Sequence, residues 1–250
     1  MNSTPLRISA VSYINARPFV YGIEKSGFLQ EYTLSLDVPS VCAEKLKNDE
    51  VDIGLAPVAI IPELEEHHVI SDFCIGANGP VRTVMLYSDV PLRNIRTIYL
   101  DYQSKTSVML LQILAKYWWK ISPAWTTATE GYEKKIKAAM AGLIIGDRNF
   151  SLAGKFKYAY DLSEEWKSYT GLPFVFACWI ANKKMDEQTT SAFCKALKFG
   201  TDNRDMVIKE LNGQLDEKTV RDYLYNSINY DFDGKKQEAM KLFLKLGKEI

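Results

Sequence analysis

Two turns rich in hydroxyl and amide side chains contain the residue types that can bind a small anion. The first turn, residues 12–18 (SYINARP), directly follows the apolar run 8–11. The second turn, residues 104–107 (SKTS), follows the run 97–101. Each turn is predicted to open a helix, whose N-terminus presents free backbone N–H groups and the positive end of the helix dipole. The two turns therefore predict a cleft that holds a small, multiply charged anion.

Helix capping is the structural alternative for both turns. Ser and Asn are preferred N-cap residues, and Pro18 suits the first turn of a helix. Lys105 adds a positive charge to the second turn, with a solvated surface lysine as its alternative. One cap needs only one side chain, so the surplus polar groups favour ligand binding: Ser12, Asn15 and Arg17 in the first turn, and Ser104, Thr106 and Ser107 in the second.

Small residues at other predicted strand ends are further candidates. Ala56 and Pro57 end a buried run that begins at Asp52, and we expect them to line the cleft with small side chains and backbone. Ser88 ends the strand that follows the Gly-Pro turn at residues 79–80. We expect the Ser88 hydroxyl to face the cleft as well.

Gly146 and Asp147 lie at the end of a third apolar strand. We expect both residues to contact the ligand, Gly146 through its backbone. A carboxylate at the end of an apolar strand is costly to bury unless it is paired or hydrated. Contact with a ligand hydroxyl, capping of the next segment and pairing with Arg148 are three open interpretations of Asp147.

The composition excludes several classes of function. Lys plus Arg equals Asp plus Glu, at 31 each, which gives no support to binding of nucleic acid or of an anionic membrane surface. No apolar run approaches the roughly 20 residues that span a bilayer. Residues 1–7 lack the charged and apolar regions of a signal peptide, so we expect a cytoplasmic protein. His67 and His68 have no third ligand at metal spacing, and no metal site is predicted.

Alternating strand and helix patterns predict an α/β fold with largely parallel sheets. The predicted strands are 7–12, 33–38, 52–56, 69–74, 81–87, 97–101, 142–146, 157–161 and 174–181. The predicted helices are 16–26, 42–48, 58–65, 107–118, 130–141, 163–171, 189–204, 217–226 and 235–248.

Two turn-rich segments indicate crossings between two lobes, near residue 90 and near residue 181. Residues 1–90 and 181–250 would then form a discontinuous first lobe, and residues 91–180 would form an inserted second lobe. Two α/β lobes joined in this way are typical of a hinged clamp around a central cleft. Ligands of such folds bind at the carboxyl ends of strands, where both turns are predicted to lie.

These motifs, in this order, resemble the chorismate dehydratase family of the futalosine route to menaquinone. The resemblance covers roughly residues 7–180 and departs at Ile14, Arg17 and Lys105, where the family more often has Leu, Lys and Arg. The matching segments are 11–15 with 17–18, 52–58, 79–81 with Ser88, 100–101 before 104–107, 145–147, 161–162 with Trp166, and 170–177 with Trp179.

The resemblance implies a two-lobed fold of the periplasmic-binding-protein type II class, used as an enzyme without a cofactor or metal. The implied reaction eliminates water from chorismate and gives 3-[(1-carboxyvinyl)oxy]benzoate. The implied partner is this small substrate, with no nucleic acid or membrane, and a homodimer is left open.

Site roles follow from the two carboxylates of chorismate. Ser104, Thr106 and Ser107 are expected to hold one carboxylate, while Ser12, Asn15 and Ser88 orient the other carboxylate or the departing hydroxyl. Asn15 is expected to be the most sensitive catalytic residue, through hydrogen bonding. The proton acceptor is either the enolpyruvyl carboxylate of the substrate or Asp147.

Three other functions remain alternatives. A solute-binding protein for a small carboxylate has the same fold, because fold does not decide function. The sister family that makes dihydroxynaphthoate later in the pathway has a different opening motif. A regulatory ligand-binding domain would need a DNA-binding segment, which this sequence lacks.

Overall fold

The computed structural model describes residues 5–211, 213 and 215–250. Residues 1–4, which belong to the predicted first lobe and to the segment searched for a signal peptide, lie outside the described residues. The chain divides into two compact units. The first comprises residues up to Gly76 with Val175–Asp233, and the second comprises Ala77–Phe174 with Gly234–Ile250. Within the described ranges, no helix combines the length and hydropathy needed to cross a membrane.

The strands are β1 (Leu6–Val11), β2 (Tyr32–Asp37), β3 (Ile53–Pro57), β4 (His68–Ala77), β5 (Val84–Ser88), β6 (Thr97–Leu100), β7 (Ala124–Thr127), β8 (Met140–Ile145), β9 (Tyr158–Asp161), β10 (Phe174–Ala181) and β11 (Asn229–Asp231). The α-helices are α1 (Arg17–Lys25), α2 (Pro39–Lys47), α3 (Lys105–Ile113), α4 (Leu162–Thr170), α5 (Glu187–Asp202), α6 (Arg204–Glu210), α7 (Glu217–Asp222) and α8 (Gly234–Gly247). Wider π-type turns extend α3 through Leu114–Trp119 and α7 through Tyr223–Ser227.

The first unit is built on a six-stranded sheet with the order β11-β4-β10-β3-β1-β2. β1 runs parallel to β2 and to β3, whereas β10 runs antiparallel to β3 and β11 antiparallel to β4. Because β1 and β3 are parallel, their carboxyl ends meet at one edge. The first turn begins at that edge.

The second unit contains a five-stranded sheet with the order β7-β6-β8-β5-β9. β6 runs parallel to β7 and β8, and β5 runs antiparallel to β8 and β9. The carboxyl ends of β6 and β8 therefore lie side by side. The second turn follows β6, and residues 146–147 follow β8.

The predicted α/β class is confirmed, with both sheets mixed rather than largely parallel. A buried apolar strand has the same residue pattern in either direction, so the sequence carries no signal for the antiparallel direction of β5 and β10. The nine predicted strands are present within a few residues. β7, β11 and α6 are additional elements that the sequence analysis did not predict.

The predicted helix over residues 130–141 is wrong. Only a short 3-10 helix forms there, Tyr132–Lys135, and β8 begins at Met140. Gly131 and Ala138 adopt left-handed backbone angles, with φ of 79° and 52°. An α-helix cannot continue through such residues.

The two compact units divide the chain at different positions from the predicted lobes. β5, which precedes the predicted boundary near residue 90, pairs with β8 and β9 of the second unit. The C-terminal helix α8 also belongs to this unit, because the Phe243 ring packs edge-on against the rings of Trp166 and Phe174 at 6.2 and 5.1 Å.

Glycine allows the backbones of α1 and α5 to touch in the first unit. A Cβ added at Gly22 would lie 1.9 Å from the Ala196 carbonyl oxygen, and one added at Gly200 would lie 1.8 Å from the Pro18 carbonyl oxygen. Neither position has room for a methyl group. Since α1 begins within the first turn, this contact also fixes the position of that turn.

We predict that Gly200→Ala lowers the free energy of unfolding by at least about 2 kcal/mol, because the added methyl must separate two helix backbones. Urea unfolding followed by circular dichroism measures the change. Gly234→Ala at the start of α8 is the matched control, because nothing lies within 4 Å of its added Cβ. Equal stability of the two variants would contradict the close packing of α1 on α5.

Candidate active site

The first turn is held by backbone contacts rather than by side-chain caps. The Ser12 N–H donates to the Asp37 carbonyl at 2.9 Å, and a 3-10 helix, Ile14–Ala16, leads into α1. The N-cap residues of these two helices are Tyr13 and Ala16, and neither helix has a side-chain cap. The capping alternative therefore does not account for Ser12 or Asn15.

The side-chain oxygen of Asn15 is buried. Among the described residues no donor reaches Asn15 Oδ1, although the atom is shielded from solvent. Burying an acceptor without a partner costs about 1–3 kcal/mol, so native proteins keep few of them. The arrangement is typical of a group that accepts a hydrogen bond from a ligand.

Tyr230 holds the backbone of Asn15 in place. Its hydroxyl donates to the Asn15 carbonyl oxygen at 2.9 Å. The Tyr230 ring is buried and packs edge-on against Phe19, with ring centres 5.2 Å apart, and Phe19 in turn packs on Trp179 at 5.7 Å. Burial raises the pKa of Tyr230 well above its ordinary value, so the hydroxyl stays protonated and able to donate.

This role could not be predicted from the sequence, because β11, which carries Tyr230, is not among the predicted strands. The residue lies 215 positions from Asn15 in the chain. A single tyrosine near the C-terminal end carries no local pattern that would link it to the first turn.

In the second turn, one hydroxyl caps the helix and a second hydroxyl supports it. Ser104 is the N-cap of α3, and its Oγ accepts from the Ser107 backbone N–H at 3.3 Å and from the Ser107 hydroxyl at 3.2 Å. Ser104 therefore keeps its own proton for donation. Thr106 is buried beside them, and Lys105 is exposed. A carboxylate at this helix start would accept from the Ser104 hydroxyl.

A buried carboxylate stands next to the second turn. Asp101 Oδ1 accepts from the Gln103 backbone N–H at 2.8 Å, and Oδ2 accepts from the Tyr132 hydroxyl at 2.8 Å and from the Arg148 guanidinium. Arg148 also pairs with Glu133 at 2.6 Å.

Charge and burial act in opposite directions on Arg148. Burial alone would lower the pKa of Arg148, but neighbouring Asp101 and Glu133 outweigh it and raise that pKa. Burial, then the nearby Asp101 carboxylate, raises the pKa of Tyr132, which stays a hydrogen-bond donor. Arg148 therefore remains a guanidinium cation, and Tyr132 remains a neutral phenol.

Strand register brings several predicted site residues together. Continuing the pairing of β1 with β3 places Ser12 level with Pro57, with buried Ala56 beside it. In the second unit, Gly146 and Asp147 begin a 3-10 helix, Gly146–Ser151, at the edge from which the second turn also starts. Gly146 has a φ of 70°, and its N–H donates to the Thr83 carbonyl at 2.9 Å.

Ser88 lies at the other edge of the second sheet. The antiparallel register places Tyr87 beside Gly142, so Ser88 is roughly 16 Å from Gly146 along the strand direction. The Ser88 hydroxyl accepts from the Val90 N–H at 3.1 Å and stabilises a turn. Thr83, just before β5, is the residue of this segment that lies at the Gly146 edge, and it is buried. It was not among the predicted site residues, because the direction of β5 could not be predicted.

Arg17 faces a different environment from Asn15. It lines a small cavity of about 120 Å³ with Tyr21 and Glu24 of α1 and with Glu210 of α6. Its side chain is half-buried, and its Nε has no hydrogen-bond partner among the described residues.

The described part of the chain offers no set of side chains suited to holding a metal ion. Residues 5–211, 213 and 215–250 contain no group of three or more His, Cys, Asp or Glu side chains arranged to hold a metal ion. The turns themselves offer hydrogen bonding by amide, hydroxyl and backbone groups, together with charged side chains.

Comparison with known proteins relates the chain to one family and one fold. A family model described as menaquinone biosynthesis matches residues 6–249. Protein AF1704 from Archaeoglobus fulgidus is similar with a TM-score of 0.77 and 14% identity, covering 100% of this chain and 98% of that one.

Two further solved structures have the same fold. The Candida albicans CA3427 gene product, described as having the generic periplasmic binding protein fold, matches with a TM-score of 0.65, 13% identity, and coverage of 99% and 91%. The alkanesulfonate-binding protein SsuA from Xanthomonas axonopodis pv. citri, bound to MOPS, matches with a TM-score of 0.62, 15% identity, and coverage of 97% and 91%. These similarities confirm the predicted fold class.

We predict that Tyr230→Phe lowers the free energy of unfolding by about 1 kcal/mol, because the Asn15 carbonyl loses a buried donor. Urea unfolding measures this change. Tyr225→Phe is the matched control, since its hydroxyl bonds to Asp205 at 3.0 Å on the surface and should contribute less than about 0.5 kcal/mol. A Tyr230→Phe protein as stable as the control would contradict a structural role for the Tyr230–Asn15 hydrogen bond.

Proposed function

Because the chain belongs to the menaquinone biosynthesis family, we propose that it is an enzyme that removes water from chorismate and forms 3-[(1-carboxyvinyl)oxy]benzoate. The observation that carries this proposal is the buried Oδ1 of Asn15, which has no hydrogen-bond partner within residues 5–211, 213 and 215–250. An acceptor oxygen is suited to a hydroxyl group and repels a carboxylate. We therefore assign Asn15 to the hydroxyl that leaves the ring, with Ser12 beside it.

The second turn supports binding of a substrate carboxylate. The Ser104 hydroxyl is a donor, and the positive end of the α3 dipole favours negative charge there. Thr106 and Ser107 are buried in the same turn, and the Ser107 hydroxyl donates to Ser104 Oγ. Ser88 has no role in the proposal, because it lies at the far edge of its sheet.

The proposed reaction is an elimination that depends mainly on positioning. The proton acceptor removes a proton from a ring C–H bond, the electron pair of that bond forms the new ring double bond, and the C–O bond to the hydroxyl breaks. The departing hydroxide takes up the proton that the acceptor holds, so water leaves and the acceptor is regenerated. The ring becomes aromatic, which provides the driving force. A fixed hydrogen bond from the substrate hydroxyl to Asn15 would align the leaving group for this step.

Two proton acceptors fit the proposed chemistry. The enolpyruvyl carboxylate of the substrate can take the ring proton itself, and Asp147 is the protein alternative. Asp147 lies in the first turn of the 3-10 helix that follows β8, at the same sheet edge as the second turn. Asp147→Asn separates the two, because only a protein base loses its function in that variant.

We predict that the purified protein converts chorismate to 3-[(1-carboxyvinyl)oxy]benzoate faster than a no-enzyme control, followed by HPLC and ultraviolet absorbance. Binding without turnover would instead support the solute-binding alternative.

The proposal also includes a cytoplasmic location for the enzyme, whereas a solute-binding protein would be exported. Cell fractionation and mass spectrometry of the native N-terminus separate these locations.

We predict that Asn15→Asp lowers kcat/KM for chorismate by about 100-fold or more, because the added negative charge repels a substrate that carries two carboxylates. Asn94→Asp, an exposed change at the end of a 3-10 helix, is the charge-matched control and should stay within about twofold of the wild type. Near-normal turnover by a folded Asn15→Asp protein would rule out the assigned role.

A further inference from the structure

The buried carboxylate of Asp101 places a negative charge close to the proposed carboxylate site. Asp101 Oδ1 lies 2.8 Å from the Gln103 nitrogen, and Ser104 is the next residue. Standard bond lengths then place the carboxylate within about 8 Å of the Ser104 Cα. The Asp101 side chain is fully buried, so water and salt screen this charge weakly. Unopposed, it would repel a substrate carboxylate.

Arg148 is the cation that opposes this charge. Its guanidinium donates to Asp101, to Glu133 and to the Gln103 side-chain oxygen at 3.3 Å. The group also lies over the rings of Tyr102 and Tyr132, with distances of 5.7 and 5.9 Å to the ring centres. These contacts hold the cation in one place.

Arg148 also connects the two segments that start at this sheet edge. It belongs to the 3-10 helix Gly146–Ser151 after β8, whereas Asp101 and Gln103 follow the neighbouring strand β6. One side chain therefore sets the charge beside the second turn and the distance of that turn from residues 146–147.

We propose that Arg148 is a positioning residue that neutralises Asp101 so that the second turn can accept a carboxylate of the substrate. The inference rests on the proposed function, since it concerns the same substrate. It gives Arg148 a different partner from the Asp147–Arg148 pair, which is one of the three open interpretations of Asp147 in the sequence. It also explains how a turn next to a buried carboxylate can attract an anion.

The test compares Arg148→Met, Asp101→Asn and the double variant with wild type, using steady-state turnover and equilibrium binding of chorismate. Arg148→Met should raise KM and Kd roughly tenfold to thirtyfold, with a smaller change in kcat, because an uncompensated charge now lies near the carboxylate. Asp101→Asn alone should stay within about threefold of wild type.

The double variant decides between charge and structure. If Arg148 acts by neutralising Asp101, removing both charges returns KM and Kd to within about threefold of wild type. A double variant that binds chorismate as weakly as Arg148→Met would overturn the proposal, since a merely structural role is not rescued by Asp101→Asn.

Arg148→Lys keeps the charge and provides a second measurement if Arg148→Met does not fold, with an expected KM within about fivefold of wild type. A thirtyfold loss in a folded Arg148→Lys protein would also overturn it.

Arg221→Met is the matched control for loss of an arginine. Arg221 pairs with Asp205 at 2.7 Å and with Glu217 at 3.3 Å in the first unit, and its removal should leave KM unchanged. A wild-type protein that binds chorismate without turnover would overturn the dehydratase proposal, while the Kd series still decides the role of Arg148. Absence of both binding and turnover would overturn both.

Discussion

Close contact between the backbones of α1 and α5 limits where the first turn can lie. Gly22 and Gly200 each face a carbonyl oxygen of the opposing helix, so this contact fixes the position of α1 against α5. The turn before α1 has no side-chain cap of its own. Its position comes instead from distant parts of the chain: Asp37 through a backbone hydrogen bond, Tyr230 through its hydroxyl, and α5 through packing.

The second turn is determined by different forces. Ser104 caps α3 by accepting from the Ser107 N–H, and Asp101 accepts from the Gln103 N–H. The local chain path is therefore encoded within residues 101–107. Contacts with residues distant in the sequence determine the charge around this turn rather than the path of its backbone. Arg148 and Tyr132 satisfy a carboxylate that would otherwise be costly to bury. Local sequence thus sets the shape of this turn, and tertiary structure sets its electrostatics.

This difference explains how much of the site was predictable. Polar residues after apolar runs identified both turns, because strand ends and helix starts have local signals. The strand that ends at Ser88 was recognised, but an apolar pattern does not encode the direction of β5, so the distance of Ser88 from the Gly146 edge could not be predicted. Tyr230 and Arg148 act on residues 215 and 47 positions away, where no periodicity or motif applies. The helix predicted over 130–141 failed because left-handed Ala138 lies where propensity favours a helix.

The two turns offer opposite kinds of hydrogen-bonding group. Within the described residues, Asn15 Oδ1 has no donor, so the first turn has an unused acceptor. The Ser104 hydroxyl accepts from Ser107 and keeps its own proton, so the second turn has an unused donor. An acceptor needs a donor such as a hydroxyl group, and a hydroxyl donor at a helix start suits an acceptor such as a carboxylate. Each turn therefore selects a different functional group.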